Sequence, residues 1–283
     1  MPVEPEALNL DIGGAEMQYL RWPGSGPSLV MLHATGFLPW LWHPIARELA
    51  GDFDVYAPYF CDHREAEPEE GGLSWLLLAE DLAAFIRGIE AGTPLMVGHS
   101  MGATVTALAE ALHGPLASRA VLIEPIFLPS PFYRVEIAVD QHPLASRSIK
   151  RRNAWESREE AMAYFGTKEL FSGWDAEMLR IYLDKGVVED GEGSLTLACH
   201  PRREAALFMG GMARDPWELL EKVACPTLLV EGELSENRSV IDLGRAAELM
   251  PRAQLRVVEG AGHLVPMQKP RETLALIRDF FSP

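Results

Sequence analysis

The chain is short of three things. Only three of its 283 residues are cysteine, Cys61, Cys199 and Cys225. They are odd in number and far apart, which excludes a disulfide framework and a cysteine-type metal site and leaves reduced thiols as the reading. Cys225, just before Pro226, is expected to serve packing. Positive charge is scarce too, with 25 Lys and Arg against 41 Asp and Glu and a formal net charge of -16. A surface of that sign repels phosphate backbones and anionic headgroups, so nucleic acid and anionic membrane are excluded as partners. Long apolar runs are absent: no segment approaches the roughly eighteen consecutive apolar residues a spanning helix requires, so no membrane insertion is expected. The opening Met-Pro-Val-Glu-Pro-Glu has neither a basic patch nor an apolar core, and a cytoplasmic chain without a secretory signal is expected.

What is present reads as globular. Hydrophobic residues make up 48% and charged residues 23%, with seven tryptophans, enough to bury one sizeable core with an inserted piece. Ala7 to Ile12 and Ala15 to Trp22 read as two short strands joined at Gly13-Gly14. Ser28 to His33 is nearly all apolar, as expected of a parallel strand covered on both faces. Asp54 to Pro58, Pro94 to Gly98, Arg119 to Glu124, Thr227 to Glu231 and Gln254 to Glu259 read as further strands. Helical stretches lie between them, near Ser74 to Glu90, Val240 to Met250 and Pro270 to Phe281. The alternation predicts an α/β fold with a mainly parallel sheet and helices on both faces. Between residues 128 and 216 the apolar strand pattern vanishes, and helical patterns with Trp155, Phe165, Phe171 and Trp174 take over. Residues 1–127 and 217–283 are therefore expected to form the core, and 128–216 an inserted, mostly helical cap.

The most informative stretch is Gly98-His99-Ser100-Met101-Gly102, a Gly-x-Ser-x-Gly turn between an apolar strand and a helix rich in small residues. Such a turn pushes the serine hydroxyl out at the top of a sheet, and the helix end behind it favours developing negative charge. Ser100 is the candidate nucleophile. A serine hydroxyl needs a base and an orienting acid. His263, in Gly260-Ala-Gly262-His263, follows the last strand at the chain position expected of that base. In open α/β sheets ligands bind beyond the carboxyl ends of the strands. His33, Ser100, Glu124, Glu231, Glu233 and His263 all fall there.

With Gly98 to Gly102, His33-Ala34-Thr35-Gly36 and Gly262-His263, the chain resembles the α/β-hydrolase superfamily over residues 1–127 and 217–283. The resemblance implies an eight-stranded sheet, a helical cap, a Ser/acid/His triad and no cofactor or metal. It implies an oxyanion hole from the amides of Met101 and Thr35, with Gly36 and Phe37 as alternatives, and His33 as a support of that loop. Two departures stand out. The oxyanion turn in such enzymes usually opens His-Gly, whereas here it is His33-Ala34, with Gly36 left to supply flexibility. The usual aspartate position falls on Ser235, which carries no carboxylate.

Glu124, ending the preceding strand, is then the expected acid, because a carboxylate closing a buried strand needs a partner. Glu233 and Glu231 remain alternatives. The reading that follows is a serine hydrolase cleaving a carboxylic ester or thioester of a small molecule through an acyl-enzyme, with the cap aromatics suggesting an apolar group. Carbon–carbon bond hydrolysis, perhydrolysis and a non-catalytic ligand-binding member are the alternatives. His99 is expected to pack against the sheet, Asp62-His63-Arg64 to be a surface-like cluster, and His142 and His200 to lie in the cap.

Overall fold

The computed structural model describes residues 3–191 and 193–282; Met1 and Pro2 of the opening hexapeptide, Glu192 and Pro283 lie outside the described residues. The chain opens with strands β1 (Glu6–Asp11), β2 (Glu16–Trp22) and β3 (Ser28–Leu32), followed by helix α1 (His43–Leu49). Next come β4 (Asp54–Pro58), α2 (Trp75–Gly88), β5 (Leu95–His99), α3 (Met101–His113) and β6 (Arg119–Ile123). After the insert, β9 (Thr227–Gly232), α8 (Leu243–Leu249), β10 (Ala253–Val258), α9 (Val265–Gln268) and α10 (Pro270–Phe281) complete the core. The sheet has eight strands in the order β1-β2-β4-β3-β5-β6-β9-β10. β1 and β2 are antiparallel to their neighbours, and every pairing from β4 to β10 is parallel.

The composition of each strand explains its place. β3, β5 and β6 are buried almost throughout, because one apolar cluster covers each sheet face. Leu29, Met31, Val97 and Val121 point into the cluster shared with α1 and α10. Val30, Met96, Ala120 and Leu122 point into the cluster shared with α2 and α3. Alternation within each strand thus serves both layers.

The insert between β6 and β9 holds α4 (Pro143–Lys150), α5 (Arg158–Gly166), α6 (Ala176–Gly186) and α7 (Pro201–Gly210). Contrary to the expectation that strand character vanishes here, it also holds a two-stranded antiparallel ribbon of β7 (Val187–Glu189) and β8 (Leu195–Leu197). Strands of three residues are too short to show alternation. The insert aromatics Phe165, Phe171, Trp174 and Tyr182 share one buried cluster with Phe37, Leu41 and Leu264 of the core, so the insert is packed down on the sheet. Among the described residues no helix is long and apolar enough to cross a membrane.

The approach of α3 to the sheet is set by glycine. A Cβ on Gly102 would stand 2.5 Å from the Leu32 carbonyl oxygen, a backbone atom that cannot swing aside. Gly102→Ala is therefore expected to lower stability by about 1–3 kcal/mol or more. An unchanged urea midpoint would show that α3 has room to spare.

Candidate active site

The site is built on the carboxyl ends of β5, β6 and β9 and on the loop after β10. Ser100 sits between β5 and α3 with φ 54° and ψ -115°. This is a left-handed conformation that a residue with a Cβ seldom adopts and that costs of order 1–3 kcal/mol. It is held by the Ser100 amide donating to the Ile123 carbonyl at 2.9 Å, and by glycines on both sides. A Cβ at Gly98 would come within 2.5 Å of the Ala103 nitrogen.

Glu124, one residue beyond β6, has φ 51° and donates its amide to the Val230 carbonyl at 2.8 Å. Its side chain is 2% exposed and carries a dense set of donors. Oε1 accepts from the Gly232 amide at 2.7 Å. Oε2 accepts from the Ser235 hydroxyl at 2.7 Å and from Asn237 Nδ2 at 3.4 Å. Buried carboxylates need this kind of satisfaction. Oε2 also lies 3.0 Å from His263 Nδ1, and on the other side of the ring His263 Nε2 lies 3.1 Å from Ser100 Oγ.

The charge of Glu124 assigns the tautomer: Nδ1–H donates to the carboxylate, because a charge-assisted bond outweighs a neutral one. Nε2 then keeps its lone pair toward the serine hydroxyl. Asn237 Nδ2, 2.9 Å from Nδ1, directs a hydrogen to Glu124 instead.

The other carboxylates considered for this role are engaged elsewhere. Glu233 Oε2 accepts from the Gly260 amide at 2.9 Å, and Glu231 pairs with Arg238 at 3.1 Å. Burial raises the Glu231 pKa. Ser235, at the position where an aspartate was looked for, instead donates to Glu124. Neither Ser235 nor Asn237 was singled out as part of the site, since hydroxyl and amide side chains in a loop carry no distinguishing pattern.

The turn after β3 is held by hydrogen bonds. His33 Nδ1 bonds the Ala34 carbonyl at 2.8 Å, and its Nε2 accepts from the Phe60 amide at 2.9 Å. Burial lowers its pKa to about 4, so the ring is neutral. The Phe37 amide donates to the Ala34 carbonyl at 3.1 Å, which removes Phe37 from the alternative donors. The Thr35 amide has no acceptor among the described residues. The Met101 amide belongs to the first turn of α3, whose N–H groups have no intrahelical acceptor. Gly36 has φ 76°, and a Cβ there would meet the Glu204 carboxylate of α7 at 2.2 Å. Glu204 in turn pairs with Arg151 at 2.6 Å, and Arg151 reaches the Tyr182 hydroxyl at 3.3 Å. Phe37 packs edge-on against Trp174 and Tyr182 with centroids 5.7 and 6.0 Å apart, giving an aromatic wall beside the turn.

One expectation about the histidines changes, and the others gain named partners. In Asp62-His63-Arg64 only Asp62 is exposed, and the other two turn onto a buried carboxylate. The His63 and Asp81 side chains are 1% and 3% exposed and 2.9 Å apart, and Arg64 grips the same carboxylate at 2.7 Å. His142 and His200 cap α4 and α7, accepting backbone N–H bonds at their Nδ1 atoms. His99 does more than pack: its Nε2 lies 3.0 Å from the His263 carbonyl oxygen. Among the described residues no group of three His, Cys, Asp or Glu side chains is arranged to hold a metal. A cavity of about 890 Å³ lined by Pro68, Tyr133, Val135, Ile149 and Met209 does not include Ser100, His263 or Glu124.

Comparisons with known proteins bear on the family and the fold. A sequence description of the Alpha/beta hydrolase family matches residues 29–276. The chain is 28% identical over 271 residues to a 2-(acetamidomethylene)succinate hydrolase of Mesorhizobium japonicum, covering 96% of this chain and 93% of that one. It is 25% identical over 279 residues to an N-formylmaleamate deformylase of Pseudomonas putida, covering 96% and 95%. Among solved structures, an E-2-(acetamidomethylene)succinate hydrolase superposes with a TM-score of 0.82 at 24% identity, covering 98% of this chain and 99% of that one.

Two predictions follow from the site. Glu124→Gln should lower kcat by about 10³–10⁴, as when the orienting acid of a serine triad is lost, while Glu233→Gln stays near the parent rate; the reverse order would reassign the acid. His33 and His99 are held neutral in the folded state, with pKa values lowered to about 4 and about 3 by burial. An unfolded histidine takes up its proton below about pH 6.5, so the unfolded state binds more protons as the pH falls. Stability should therefore be greatest above about pH 6.5 and be lost progressively toward about pH 4. Urea titrations across that range that show no decline would contradict the assignment.

Proposed function

The chain belongs to the alpha/beta hydrolase family and is a hydrolase, and from that premise we propose that Ser100, His263 and Glu124 cleave an acyl bond through an acyl-enzyme. The observation that carries this reading is the continuous relay of 3.1 Å from Ser100 Oγ to His263 Nε2 and 3.0 Å from His263 Nδ1 to Glu124. Ser100 Oγ attacks the carbonyl carbon while Nε2 takes its proton, and Glu124 stabilises the imidazolium. The Met101 and Thr35 amides receive the oxyanion; a donor of this kind is worth about 10²–10³ in turnover. The imidazolium then protonates the leaving group. Water, deprotonated by His263, attacks the acyl-enzyme and releases the acid and Ser100.

The chemistry and the walls support a substrate class. A serine with an imidazole at its hydroxyl suits a carboxylic ester or thioester of small to medium size, and the wall of Phe37, Trp174 and Tyr182 suits an apolar group against it. The three cysteines, all free and buried, fit a reducing cytoplasmic compartment. A second reading keeps the same residues and moves the bond. The relatives act by name on an acetamidomethylene succinate and an N-formyl maleamate, which favours an acyl group leaving from nitrogen or from carbon rather than from oxygen or sulfur.

A fluorophosphonate should label the folded protein at Ser100 and leave Ser100→Ala unlabelled. A substrate panel with oxygen, sulfur, nitrogen and carbon leaving atoms should then show one class turned over well above the rest. Absence of labelling in folded protein would point to a non-catalytic ligand-binding member. Labelling with background rates on the esters and thioesters would move the reading to the second class.

A further inference from the structure

We propose that His99 is a positioning residue whose Nε2–H holds the backbone carbonyl of His263, so that the neighbours His99 and Ser100 fix one histidine at its main chain and at its ring. The proposal rests on the reading of His263 as the base. Its geometry is direct: His99 Nε2 is 3.0 Å from the His263 carbonyl oxygen, and the two rings lie 5.3 Å apart at 38°. A carbonyl can only accept, so Nε2 carries the hydrogen and Nδ1 is left as a bare acceptor. That Nδ1 is buried and has no partner among the described residues.

An unsatisfied buried acceptor is destabilising by about 1–3 kcal/mol, which an apolar side chain of similar volume would avoid. Packing alone therefore gives no reason for an imidazole at a position that is 0% exposed. The bond to His263 supplies one. Burial and the nearby His263 also keep the His99 ring neutral, with its pKa lowered to about 3, so it adds no repulsion when His263 becomes charged.

The loop that carries His263 needs such a hold. Gly260 has φ 63°, and Gly260 and Gly262 give the backbone freedom that other residues lack. The loop is tied at Ala261, whose carbonyl accepts from the Leu234 amide at 2.8 Å, and at Gly262, whose amide donates to Gln268 at 2.7 Å. The His99 bond ties the main chain at His263 itself. Displacement of a reacting group by about 1 Å can lower a rate about 10²-fold, so the bond acts on the proton transfer.

The test compares His99→Leu, which keeps volume without a donor, with His99→Gln, whose amide nitrogen can replace Nε2. At matched thermal stability, His99→Leu should lower kcat and the rate of fluorophosphonate labelling together by about 10–100-fold, with KM within about threefold, and His99→Gln should return to within about fivefold of the parent. A leucine variant as fast as the parent, or a glutamine variant no faster than leucine, overturns the proposal. If the leucine variant does not fold, spectra of the parent protein with ¹⁵N-labelled histidine decide. A neutral Nε2–H tautomer at His99 from about pH 8 to about pH 5 supports the proposal, and an Nδ1–H tautomer or a ring titrating near the usual value of about 6.5 overturns it. Failure of the parent to label at Ser100 removes the hydrolytic reading instead and leaves the tautomer result to stand alone.

Discussion

The contact on which the rest depends is the one between the Glu124 carboxylate and His263. A charge that is 2% exposed survives at the end of a buried strand only because donors surround it, and those donors come from separate parts of the chain: Gly232 closing β9, Ser235 and Asn237 in the following turn, and the imidazole after β10. The carboxylate therefore binds three strand ends together as well as orienting a ring. Removing it would leave each of those groups without its acceptor.

Two neighbouring strands end in strained residues, Ser100 at φ 54° and Glu124 at φ 51°. Both conformations are stabilised by main-chain bonds into the next strand, from Ser100 to Ile123 and from Glu124 to Val230. The parallel ladder transmits this from β5 to β6 to β9, so the sheet itself supplies the energy that holds the hydroxyl and the carboxylate in place. The turn after β3, around Gly36, is held from the opposite side. The Arg151–Glu204 pair reaches down from the insert onto Gly36, whose φ of 76° favours glycine and whose missing Cβ leaves room for the Glu204 carboxylate. The insert thus presses on the turn after β3.

Much of this was legible. The Gly-x-Ser-x-Gly turn, the alternating strands and helices and the position of His263 after the last strand are local patterns, and local backbone preference together with apolar periodicity accounts for them. Glu124 was legible for a different reason, since a carboxylate ending a buried strand calls for a partner. The donors that serve it were not. Ser235 and Asn237 are ordinary turn residues until the fold carries them to Glu124, and His99 reads as a packed side chain until the His263 carbonyl is seen beside it. The ribbon of β7 and β8 was too short to alternate. His63 and Asp81 lie eighteen positions apart in the chain, and no spacing rule joins them.

Sequence by itself determined the class of fold and the Gly-x-Ser-x-Gly turn between strand and helix, because these follow from short-range sterics and from which faces of each element are apolar. Tertiary structure alone decided which carboxylate meets the imidazole, which amides and hydroxyls satisfy it, and which face of the insert presses on the oxyanion turn. Those are contacts between groups as much as 168 residues apart, from Gly36 to Glu204, and their energies exist only once the sheet has closed the distance between them.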